Sequence, residues 1–94
     1  MQMVAEEIGG RTFIIERGPG GMTIVVDDVP HGPVPFAKVQ EALNTAVEHE
    51  GDSLEFVHAF ALEGELSNDL ETRLVALVQG AIYHFDRYPP RAAS

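Results

Sequence analysis

Two runs in the first third of the chain, Arg11–Arg17 (RTFIIER) and Met22–Val29 (MTIVVDDV), alternate apolar and polar positions around Gly18-Pro19-Gly20-Gly21. Runs rich in β-branched residues flanking such a turn predict a β-hairpin with a four-residue loop. With Arg17 opposite Met22, Ile15 faces Ile24 and Phe13 faces Val26, giving one continuous apolar face. The other face is mixed, with Ile14 beside Val25 among Thr12, Glu16, Thr23 and Asp27. Residues 1–8 alternate loosely and read as a short edge strand.

His31-Gly32-Pro33-Val34-Pro35 breaks the alternation and predicts a helix start, because proline is tolerated only in a helix's first turn. Phe36, Val39, Leu43, Ala46 and Val47 then recur at helical spacing beside Ala42, with Gly51 as the stop. The opposite face carries Glu41, Asn44, Thr45 and Glu48. From Ser53 to Glu63 the period changes again. Leu54, Phe56, His58, Phe60 and Leu62 alternate with Glu55, Val57, Ala59, Ala61 and Glu63, which favours a strand over a helix bearing Leu54, Val57, His58, Ala61 and Leu62 on one side. Ser67-Asn68-Asp69 supplies helix-capping chemistry, with Glu71 as a capping-box partner. Leu70, Leu74, Leu77, Val78, Ala81, Ile82 and Phe85 follow as the longest helical stripe, ended by Tyr88-Pro89-Pro90.

The expected fold is therefore a small α+β two-layer sandwich in the order β-hairpin–helix–strand–helix. Its sheet is mixed or antiparallel, with both helices on one face and a right-handed strand–helix–strand crossover from Met22 to Leu62. The length, 94 residues and 10.2 kDa, corresponds to one domain over residues 1–88 with a flexible C-terminal tail at 89–94.

Charge changes the picture most. Six Lys and Arg stand against fifteen Asp and Glu, for a net charge of −9. Nine of those acids lie between Val39 and Thr72, where there is no Lys or Arg. That field repels nucleic-acid backbones and attracts basic proteins. No apolar run approaches the ~20 residues of a membrane span, and the amino terminus lacks a signal-peptide layout. With no cysteine, disulfides, thiolate metal sites and cysteine nucleophiles are excluded, and a cytoplasmic setting is expected.

No catalytic motif emerges, and neither a cofactor nor a metal is implied. Gly18–Gly21 lacks the Lys-Ser/Thr and following helix of a phosphate loop. The four histidines have no metal-ligand spacing. His31 beside Asp27 and Asp28 makes a weak site at most, and Glu55 and Glu63 are not singled out as a catalytic pair. His58 falls on the apolar face of its expected strand, either as a buried neutral histidine, whose protonation at acid pH opposes folding, or as a general base. The apolar arc of the last helix is about 160° wide, more than a surface helix requires. Its surplus, Val75 and Ile82, either packs against the sheet or meets another chain, beside a basic stripe of Arg73, Gly80, His84 and Arg87.

These observations favour a non-enzymatic protein-binding domain, of the inhibitor, antitoxin, immunity-protein or adaptor type. Glu41, Glu48, Glu50 and Asp52 would meet a basic surface, in one version by imitating nucleic-acid phosphates. Arg73, Val75, Ile82 and His84 form a second candidate interface. The alternatives are a homodimeric enzyme or small-molecule binder with a site between subunits, and a structural subunit of a larger assembly.

Overall fold

A computed structural model describes residues 2–49 and 52–88. The chain opens with a four-stranded antiparallel meander, β1 (Gln2–Ile8), β2 (Arg11–Gly18), β3 (Gly21–Val26) and β4 (Val29–Val34), in the spatial order β1-β2-β3-β4. Three helices follow: α1 (Phe36–Glu48), α2 (Leu54–Ala59) and α3 (Asn68–Arg87). The α+β class, the antiparallel sheet and the helices on one face stand as expected. The element order does not, because two segments form structures other than those their sequence patterns predict.

The central hairpin has the expected register, with Arg17↔Met22, Ile15↔Ile24 and Phe13↔Val26 paired. Its loop is tighter than expected, because Gly18 and Gly21 also pair and leave only Pro19-Gly20 between the strands. Gly21 has φ +121°, and a Cβ there would stand 2.0 Å from the Val34 carbonyl oxygen. Only glycine fits at that crossing of β3 and the end of β4.

The first such segment is Asp27–Val34. Asp27 and Asp28 form a two-residue turn with φ of 48° and 71°, and Val29–Val34 returns as a fourth strand. Its prolines are tolerated because β4 is an edge strand, where a missing N–H need not interrupt a ladder.

The second is Ser53–Glu63, which contains the six-residue helix α2 rather than a strand, so there is no strand–helix–strand crossover. Phe56 and Phe60, four residues apart, are buried with ring centroids 5.1 Å apart. A separation of four satisfies both a period of 2 and a period of 3.6, so these two residues cannot distinguish strand from helix. The buried set is Phe56, Val57 and Phe60, whereas Leu54 and His58 project outward. The helix thus buries a different face from the one its alternative helical reading proposed. It ends in a left-handed residue, Ala61 (φ 53°), whose N–H donates to the His58 carbonyl while Leu62 N–H donates to the Val57 carbonyl. That is a Schellman stop with alanine where glycine is usual.

One sheet face is core. Ile8, Phe13, Ile15, Met22, Ile24, Val26 and Val34 pack with Val39, Leu43, Phe56, Leu62, Leu74, Val78 and Phe85. Helix α3 lies along β1 and α1 along β3. Ser67 caps α3, its Oγ accepting from Leu70 N–H at 3.3 Å. Glu71 has a different role from the expected capping box: its carboxylate accepts from Ser53 Oγ at 3.4 Å, tying α3 to the start of α2. At the far end Arg17 closes the core. It donates to Gln2 and Asp86 and lies over the rings of Phe36 and Phe85 at 5.5 and 5.2 Å. The expected helix stop at Gly51 and the expected tail at 89–94 fall outside the described residues. No helix among the described residues is long and apolar enough to cross a membrane.

Candidate protein-binding surfaces

Glu41 and Glu48 lie on α1, and Asp52 lies between α1 and α2. Glu41 and Glu48 are exposed and seven residues apart on α1, which places them on one outer face. After α1, Asp52 N–H donates to the His49 carbonyl and the Asp52 carboxylate accepts from Leu54 N–H at 3.1 Å. Asp52 is thereby fixed at the junction of α1 and α2, exposed, at the mouth of a shallow cleft it shares with Ser53, Leu54, Asn68, Glu71 and Thr72. Glu50, the fourth acid of the expected site, lies outside the described residues.

Two apolar side chains stand out among these acids. Val47 was expected in the core stripe of its helix, yet it is 60% exposed, and Leu54 is 70% exposed. Val47 sits at the margin of the α1 stripe, beyond the arc of Val39, Ala42, Leu43 and Ala46 that meets the sheet. It lines a groove between α1 and α3 with Ala46, Ser53, Thr72, Val75, Ala76 and Gln79. Exposed aliphatic groups bordered by charge are a common composition for a protein-docking patch. A half-apolar position at a stripe's edge was the only sequence sign of it.

The α3 candidates divide. Val75 and Ile82 are buried in the core, so the surplus apolar arc packs inside the protomer. Arg73 and His84 are exposed. With β1 they border a second, elongated groove: Val4, Glu6, Leu77, Gly80, Ala81 and His84 line one part, and Glu7, Ile8 and Arg73 its continuation.

The histidine readings change as well. His58 is largely exposed, and its Nδ1 lies 2.6 Å from a Glu63 carboxylate oxygen. The Glu63 carboxyl is held below its ordinary range, first by its own backbone N–H and then by His58. With His58 at the surface, the expectation that its burial opposes folding in acid falls away. Asp27 is likewise held low, first by the Thr12 N–H and then by the Arg11 guanidinium, 2.8 Å away. These contacts make Asp27 a turn-locking residue. No group of three or more potential metal ligands occurs among the described residues. No family model matches this chain, and comparisons with curated proteins and with solved structures return no match.

Proposed function

We propose that this chain is a protein-interaction domain whose acidic helical surface docks a basic partner, in the manner of an inhibitor, an immunity-type protein or an adaptor. The observation that carries the reading is the position of Val47 and Leu54, solvent-exposed beside Glu48 and Asp52. Acidity that served only solubility would not require exposed aliphatic groups among the carboxylates, whereas a docking patch needs both. The carboxylates steer encounter and the aliphatic groups supply area to bury. The reading is non-enzymatic. It rests on open grooves and on a His58–Glu63 pair held at the surface rather than inside a cleft.

The test is affinity capture with the full chain as bait, compared with the triple variant Glu41→Lys/Glu48→Lys/Asp52→Lys, read by quantitative mass spectrometry at low and high salt. Basic proteins are expected on the wild-type bait and lost by at least tenfold on the variant. Identical capture by both baits overturns the assignment of this surface.

A further inference from the structure

The sheet has two edges, and they are built differently. β4 carries Pro30 and Pro33, which have no N–H, and its register slips against β3 between Met22 and Ile24. Both are devices that discourage another strand from pairing there. β1 is seven residues long without proline or lysine, and no described strand pairs with its outer side.

The β1–β2 loop is the two residues Gly9-Gly10, both with positive φ, so the flanking pair Ile8↔Arg11 is a hydrogen-bonded one. Pairs alternate along an antiparallel ladder. Gln2, Val4, Glu6 and Ile8 therefore turn their N–H and C=O groups toward β2, while Met3, Ala5 and Glu7 turn theirs outward.

We propose that two copies of this chain pair through β1, antiparallel about a two-fold axis at Ala5, forming one eight-stranded sheet. The register follows from the strand itself. An axis perpendicular to the sheet keeps both helical layers on one side and pairs residues of like parity. Centring on Ala5 sets Ala5 opposite its copy and Met3 opposite Glu7, so all three outward-facing residues are hydrogen-bonded. Glu6 then faces Val4, and no acid opposes an acid. Centring on Glu6 or Glu7 places like charges face to face, which is unfavourable, and centring on Val4 pairs fewer outward groups.

The groove beside β1 suits the same arrangement. Helix α3 runs antiparallel to β1, because Gln2 donates to the Phe85 carbonyl at one end while Arg73 lies near Ile8 at the other. Near the level of the axis α3 presents Leu77 and the small Gly80, which let the partner's helix approach. Each Glu6 is carried toward the His84 side of the other copy's groove. The acids between Val39 and Thr72 lie outside both β1 and the groove-lining part of α3, so self-association does not consume the surface proposed for the foreign partner.

The chain has no cysteine, so single cysteines report proximity without background. Paired Ala5 positions would have Cα atoms about 5.5 Å apart, within disulfide reach. Light scattering of the wild type is expected to give a concentration-dependent mass of twice 10.2 kDa. Ala5→Pro removes an outward N–H that the protomer's own sheet does not use, and is expected to raise the dimer dissociation constant at least a hundredfold while keeping the wild-type circular dichroism. Ala5→Cys is expected to oxidise to a covalent dimer far faster than Glu55→Cys on α2. A wild type that stays monomeric to millimolar concentration overturns the proposal, as does Ala5→Cys cross-linking no faster than Glu55→Cys. If Ala5→Pro fails to fold, the cross-linking rates decide alone.

Discussion

Two residues have backbone conformations that make opposite predictions. Ala61 is left-handed at the end of α2, where a non-glycine residue costs about 1–2 kcal/mol. Ala61→Gly is expected to stabilise the fold by roughly 1 kcal/mol, less what glycine loses in the more flexible unfolded chain. Gly21 is the reverse case. Its missing Cβ is replaced by the Val34 carbonyl oxygen, so Gly21→Ala must push β4 away or strain the turn. We expect a loss of about 2–4 kcal/mol, in the range of severe single substitutions. Urea denaturation of both variants checks the pair, and a neutral Gly21→Ala would contradict the tight crossing of β3 and β4. The same residues explain part of what the sequence concealed. With alanine at the stop of α2 the usual glycine signal is missing, and the segment kept its misleading period of two.

At the scale of elements, legibility followed chemistry. The β2–β3 hairpin, α1 and α3 were readable because each has one dominant period and recognisable boundaries. β4 was not, since its Pro-Gly-Pro composition is that of a loop and only its place at the sheet edge makes it a strand. Nor was its turn, because Asp-Asp adopts the left-handed pair of conformations without the glycine that normally advertises it.

That turn is also where pH acts. The Asp27 carboxyl is held below its ordinary value by Thr12 N–H and Arg11. An acid with a depressed folded-state pKa adds stability above its unfolded value, about 3.9, and loses it as pH falls through the folded value. Glu63 behaves the same way at the end of the α2 segment. The melting temperature is therefore expected to fall as pH drops below about 4. Asp27→Asn, which keeps an acceptor for Thr12, should flatten part of that fall. An unchanged pH profile in Asp27→Asn would remove the turn from the account.

Across the whole molecule, the acidic block was legible from charge counting, but the surface it makes was not. Counting located Glu41, Glu48 and Asp52. It did not reveal that Val47 and Leu54 stand beside two of them, because Val47 extends a core stripe and Leu54 belonged to a strand that is really a helix. Val75 and Ile82 are buried in the core for a related reason. Three helices over a small sheet bury a wider arc of α3 than a single packing contact would, so a surplus apolar arc did not imply a partner. The two interactions drawn from this architecture respond oppositely to salt. Attraction of a basic partner weakens as ions screen the carboxylates. Pairing of two chains that each carry −9 is opposed by their net charge, so screening leaves it unchanged or strengthens it.

The most direct test of the acidic docking surface is a salt titration of the captured partner's affinity, measured by calorimetry against the wild type and the Glu41→Lys/Glu48→Lys/Asp52→Lys variant. The account predicts that affinity falls at least tenfold between 0.05 and 0.5 M salt, an order-of-magnitude expectation from screening, and that the variant binds weakly with a much shallower salt dependence. A wild-type affinity that ignores salt, or a variant that binds as tightly as the wild type, would contradict it.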